Sequence, residues 1–147
     1  MADNFQITQG SGITVGAWES SSVKYQRIVP IVDGASGFGK QVYSVNDGQN
    51  TGQVIKNAAG KVYGWYIMNN GSGTRRVKLY NKATAPTSAD TPVLRLAIPA
   101  GLGANLSEEA GFDIFSNGIG IRCVQGVADN DNTAPTANDL EVNIWYK

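Results

Sequence analysis

Few residues in this sequence could do chemistry. Histidine is absent, which removes the commonest general base and the commonest metal ligand. Cys123 is the only cysteine. It has no imidazole to take its proton, so it is no candidate nucleophile. Lying between Arg122 and Val124 in an apolar stretch, it reads as a small core residue, and with no second cysteine no intrachain disulfide can form. Glu19, Glu108, Glu109, Asp113 and Glu141 could supply the carboxylate pair of a glycosidase. They fall at expected turns or on a wet strand face, where solvated charge is the rule. No Gly-x-Ser-x-Gly elbow and no phosphate loop ending in Gly-Lys-Ser/Thr occurs. The expectation is a non-catalytic protein without a cofactor.

The run Ala128-Asp129-Asn130-Asp131-Asn132-Thr133 sets two carboxylates two residues apart, and oxygen-rich runs of this kind can hold Ca²⁺. It lacks the glycine and the distal glutamate of the helix-loop-helix calcium motif. Ca²⁺ takes six to eight oxygens, more than this run offers alone. Asp and Asn also stabilise turns by bonding their own backbone, and that reading is preferred, so no metal site is assigned.

The aromatic residues say more. The expected strand over 61–68 carries Tyr63, Trp65 and Ile67 on one face and Val62, Tyr66 and Met68 on the other. A strand at the surface should have one polar face, and this one has almost none. Trp145 shares its expected face with Glu141, Asn143 and Lys147, opposite Leu140, Val142 and Ile144. An outward tryptophan there is an interface anchor or a platform for a sugar ring. Packing against an N-terminal arm or a second subunit is preferred, since Trp and Tyr are enriched at protein interfaces.

These side chains must be positioned by short strands. Eighteen glycines among 147 residues leave little room for long helices. Strands are expected over 41–45, 61–68, 74–82, 92–99, 112–115 and 119–127, and from Leu140 onward. Asn69-Asn70-Gly71-Ser72-Gly73 reads as a hairpin turn. Along 74–82, Val77 and Leu79 face inward, and Arg76, Lys78 and Lys82 face water. Residues 100–105 read as a Gly-rich connection, and Ser107-Glu108-Glu109 as the cap of one helical turn. About eight antiparallel strands after residue 40 predict a jelly-roll-like β-sandwich over 41–147. Residues 1–40 are looser and broken by glycine and by Pro30, and read as an extended arm with edge strands.

Lys plus Arg equals Asp plus Glu, twelve each, and charged residues make up only 16% of the chain against a usual value of about 25%. A neutral chain has no electrostatic footprint for nucleic acid or an anionic membrane. The scarcity of charge leans toward assembly, because interface cores are depleted in it. No apolar run is long enough to span a bilayer. Met1-Ala2-Asp3-Asn4 shows neither a basic region nor an apolar run, so no signal peptide is expected.

Two stretches resemble tailed-bacteriophage virion proteins. One is Val23-Lys24-Tyr25-Gln26-Arg27-Ile28-Val29-Pro30-Ile31-Val32-Asp33-Gly34, similar to a Lys-x-Gln-Arg-Val segment ending in Asp-Gly near the start of many such proteins. The other is the C-terminal half, from Val62-Tyr63-Gly64-Trp65-Tyr66 through Phe115-Ser116-Asn117-Gly118-Ile119 to Val142-Asn143-Ile144-Trp145-Tyr146-Lys147. The resemblance implies a small jelly roll or sandwich on the virion, commonly trimeric, with an N-terminal segment reaching onto its neighbours. On that basis the expected function is a head decoration (cement) protein. It would bind the major capsid protein or other virion proteins as a homotrimer, after synthesis in the host cytoplasm. A tail receptor-binding or carbohydrate-binding module, with Trp65, Trp145 and the loop from Asp129 to Thr133 as a sugar site, is the alternative. The expected contact residues are Val23, Tyr25, Ile28, Val29, Ile31 and Val32 of the arm, with Tyr63, Trp65 and Trp145 of the sandwich.

Overall fold

The computed structural model describes residues 17–20, 23–26 and 40–147. The chain divides after Phe38. The first unit contributes an antiparallel pair, β1 (Ala17–Ser20) and β2 (Val23–Gln26), with Ala17 opposite Gln26. Val23 and Tyr25 lie on β2, whereas Ile28, Val29, Ile31 and Val32 lie outside the described residues.

The second unit, Gly39–Lys147, carries eight strands. They are β3 (Gln41–Val45), β4 (Gln53–Lys56), β5 (Gly60–Asn69), β6 (Arg75–Asn81), β7 (Leu94–Ile98), β8 (Gly103–Phe115), β9 (Ile119–Val124) and β10 (Leu140–Tyr146). One sheet runs β3-β10-β5-β8 and the other β4-β9-β6-β7, with every pairing antiparallel. Chain order switching between two four-stranded sheets in this way is a jelly roll. The fold class expected from the sequence, an all-β antiparallel sandwich, is the one observed.

Alternation along each strand makes the core. Val62 and Ile67 of β5 and Val142 and Ile144 of β10 meet Val77 and Leu79 of β6 and Ile119 and Ile121 of β9, all of them buried. Each such side chain contributes roughly 1.5–3 kcal/mol by leaving water, and most are β-branched, which suits a pleated surface. Cys123 belongs to this core, where burial, helped by the charge of Asp47, pushes its thiol up to about 12.

Three local expectations are corrected. Asn69-Asn70-Gly71-Ser72-Gly73 does not close a hairpin, because β5 and β6 lie in different sheets; the segment is a corner crossing the sandwich. Buried Asn69 holds that corner. Its amide donates to the carbonyls of Gly73 (2.9 Å), Ile98 (2.8 Å) and Pro99 (3.1 Å), and its Oδ1 accepts from the Gly71 N–H at 2.9 Å. The true hairpin is β6–β7, joined by the loop over 82–93. Strand β4 has no counterpart in the sequence reading, because Gln53-Val54-Ile55-Lys56 is short and half polar. Finally, no helical turn forms at Ser107-Glu108-Glu109. Strand β8 runs through this region, with Ser107 opposite Gly64 and Phe112 opposite Val62, so residues 108–111 bulge outward against the single residue Tyr63. Gly111, at φ 70°, lets the chain return.

Candidate functional site

The outer faces of the two sheets differ. On β4-β9-β6-β7, Lys78 lies directly opposite Arg95 on one side and Arg122 on the other, so three cations form one row across β7, β6 and β9. Lys78, expected to face water, is 0% exposed, and Arg122 beside it is 1% exposed. The loop over 125–133 folds down onto the row. The Asp129 carboxylate accepts two hydrogen bonds of 2.6 Å from Arg95. Lys78 Nζ donates to the carbonyls of Ala128 (2.5 Å) and Asp129 (3.4 Å). Arg122 reaches Asn132 Oδ1 at 2.6 Å and the Asn50 carbonyl at 2.9 Å. Burial holds the Lys78 ammonium below its usual range, against the opposing pull of Asp131 and Asp129. The Arg95 guanidinium lowers the Asp129 carboxyl.

The Asp-Asn run therefore works as a lining for its own sheet. Asp131 accepts from the backbone N–H groups of Gly126 (3.1 Å) and Thr133 (3.0 Å) and from the Thr133 hydroxyl (3.1 Å). Burial works against the charged form of Asp131, and those N–H groups more than offset it. The turn-stabilising reading of the loop fits this geometry, and no group of three or more metal-ligating side chains occurs among the described residues.

The outer face of β3-β10-β5-β8 has no such lining among the described residues. Its register places Val42, Trp145, Gly64 and Ser107 in one row and Ser44, Asn143, Tyr66 and Asn105 in the next. Gly64 contributes no side chain to its row. A Cβ there would also collide with the Leu106 carbonyl, so β5 and β8 approach closely because of this glycine. The result is an open groove of about 510 Å³ lined by Lys40, Tyr63, Tyr66, Asn105, Leu106, Ser107 and Trp145, with Trp65 beneath. Tyr66 is 43% exposed. Tyr63 and Trp145 are half-buried. The Lys40 ammonium sits 4.8 Å from the centre of the Tyr63 ring, a cation–π distance.

The face assignments expected for β5 are also revised. Between Val62 and Gly64 the register slips, leaving Tyr63 the extra residue of a bulge against β10 and set against the four-residue bulge of β8 on its other side. Parity is broken there, so Val62 and Trp65 both point into the core and Tyr63 joins Tyr66 outside. Trp65 is 7% exposed and stacks on Phe112, ring centroids 5.7 Å apart and planes at 23°. It forms the groove's floor rather than a free surface anchor. Tyr63 and Trp145 come together at the groove as outward-facing aromatics, and Tyr66, which the contact list expected from the sequence does not include, joins them. Its signal is its position three residues beyond the bulge at Tyr63, which is visible only once pairing is known. The sugar site composed of Trp65, Trp145 and the loop from Asp129 to Thr133 is not assembled, because that loop covers the other sheet. Nothing is described of the side chains of Val23 and Tyr25.

The edge of this same sheet is a second feature. Among the described residues β8 pairs only with β5, which leaves thirteen residues of strand with one free edge. Leu102, Leu106 and Ile114 are exposed along it, as are Glu108 and Glu109. Asp113 lies 3.5 Å from Lys61 and is largely in water. Comparison of the chain with family models, with curated proteins and with solved structures finds no match.

Proposed function

We propose that this chain is a structural protein of a tailed-phage particle, a head decoration (cement) protein that binds the major capsid protein and stabilises the shell as a homotrimer. The observation that carries the reading is the free edge of β8. A long edge strand flanked by exposed apolar side chains is a template for pairing with another chain. A three-fold ring joins two different patches at every contact. Among the described residues this sheet offers two unlike free edges: β8, which carries Glu108 and Glu109, and β3, which follows directly on Lys40. Strand addition would contribute main-chain hydrogen bonds, and Leu102 and Ile114 would contribute apolar burial. Three modest shell contacts linked in one ring bind far more tightly than one. The jelly roll is a frame used by viral capsid domains, and the resemblance of residues 23–34 and of the C-terminal half points the same way.

The test is sedimentation of the purified chain together with immunogold microscopy of phage particles that contain it. A mass of three chains that the double substitution Leu102→Lys/Ile114→Lys reduces to one, with gold over the head, supports the reading. Gold confined to the tail would favour the receptor-binding alternative. A monomer at all concentrations, or no label on any particle, overturns the proposal. Deleting residues 1–34 should abolish shell binding; a truncated chain that still binds removes the arm from the mechanism.

A further inference from the structure

We infer that the groove over Gly64 binds a neutral oligosaccharide. The groove takes Asn105 and Ser107 from β8 but lies on the outer face of the sheet rather than along that strand's edge, and the inference does not depend on where the protein sits on a particle. Three observations select the ligand chemistry. First, the groove sets aromatic faces beside a gap: Trp145 lies directly opposite Gly64 in the register, and Tyr63 and Tyr66 lie to either side of that glycine along β5. A pyranose ring has an apolar C–H face that stacks on such rings and hydroxyls at its rim. Secondly, Asn105 and Ser107, brought alongside by β8, can each donate and accept hydrogen bonds, as sugar hydroxyls do. Among the described residues neither side chain makes a hydrogen bond of its own. Thirdly, among the described residues no carboxylate or guanidinium lines the groove, and the one charged group there, Lys40, is directed at the Tyr63 ring. A lining without anionic groups, whose single cation is engaged with a ring, matches a neutral ligand.

The dimensions agree. About 510 Å³ falls within the roughly 300–1,000 Å³ of small-ligand sites. The aromatic surface gives way within the row of Tyr66 to Ser44 and Asn143, bonded to each other at 2.7 Å, with Glu141 exposed beyond them. A protein partner would need a broader apolar patch than this.

The experiment titrates the intact chain with a panel of short neutral oligosaccharides (glucose, galactose, mannose and N-acetylglucosamine oligomers) and follows the indole N–H signals by NMR. A proline-rich peptide serves as a competing occupant, since aromatic grooves also take such peptides. The expected result is saturable binding of at least one neutral oligosaccharide that shifts the Trp145 indole. Tyr66→Ala and Trp145→Ala should each weaken it about 3- to 10-fold, the range for loss of one ring contact. Trp145→Phe should retain most of it, and Leu102→Lys/Ile114→Lys should leave it unchanged. Tyr66 is exposed, so its truncation does not threaten the fold. The inference is overturned if no neutral oligosaccharide binds at millimolar concentration, if binding is indifferent to both alanine substitutions, or if only the proline-rich peptide binds.

Discussion

Lys78 is the sharpest test of how the loop over 125–133 is held against its sheet. Its ammonium donates to two loop carbonyls, and its stem is wholly covered. Replacing it with Met keeps most of the stem and removes the charge. Of the two hydrogen bonds only the one to Ala128 is short, and a bond from a charged donor is worth about 1.5–3 kcal/mol net, so Lys78→Met should cost about 2 kcal/mol. Lys78→Ala also deletes three methylenes at about 0.8 kcal/mol each, for a total of about 4 kcal/mol. Urea unfolding reads both values. With a slope of about 2 kcal/mol/M for a chain of this size, Met should lower the midpoint by about 1 M and Ala by about 2 M. Amide exchange localises the effect. The Gln125 and Asp131 N–H groups, bonded within the loop to Thr133 and Ala128, should exchange faster in both variants, while those of β10 should not. Replacing buried charge by apolar volume sometimes stabilises a protein. If Lys78→Met matches or exceeds the parent in stability, the ammonium is a tolerated burden rather than a tie, and the account of the loop is wrong.

Three further outcomes are expected. The Lys82 ammonium, with the Thr87 N–H and hydroxyl, lowers the Asp90 carboxyl from 3.8 to about 2. A lowered carboxyl stabilises the fold above its unfolded value and loses that contribution as pH falls from roughly 4 to 2. After discounting for solvent screening this is about 1 kcal/mol, and Asp90→Asn should abolish that part of the acid dependence in urea melts at several pH values. Cys123 should resist thiol reagents in the native state and react only as the chain unfolds, so its labelling rate should rise in step with denaturant; rapid labelling in buffer would contradict its place in the core. Asn69→Ala should cost about 3 kcal/mol, since it strips hydrogen bonds from a buried corner and leaves several carbonyls unpaired; a thermal shift of only a degree or two would show that the corner does not depend on it.

Much of this architecture could be read in advance because burial in strands writes itself as alternation. Val77 and Leu79, or Val142 and Ile144, declare an inward face whatever their partners. What could not be read depends on pairing. The bulge at Tyr63 arises from register on β5, β8 and β10 together, and without it Trp65 is assigned to the wrong company. Lys78 looks solvated because the segment that covers it lies fifty residues further on. Asn69 to Gly73 reads as a tight turn in the sequence, yet no residue of it takes a positive φ, and an Asn- and Gly-rich break does not reveal whether the chain returns to the same sheet or passes to the other. The groove was half legible: Trp145 stood out as an aromatic on a polar face, while Tyr66 and the gap at Gly64 emerge only from the row they share.

The difference between the two broad sides of the sandwich has a geometric consequence. One side carries its own cover, with every cation of its central row met by a loop oxygen. The other keeps an amide, a hydroxyl and several rings in reserve. A slab of this kind has a back and a front: of its two broad sides, the one bearing Trp145 is the one whose groups are still open to engagement.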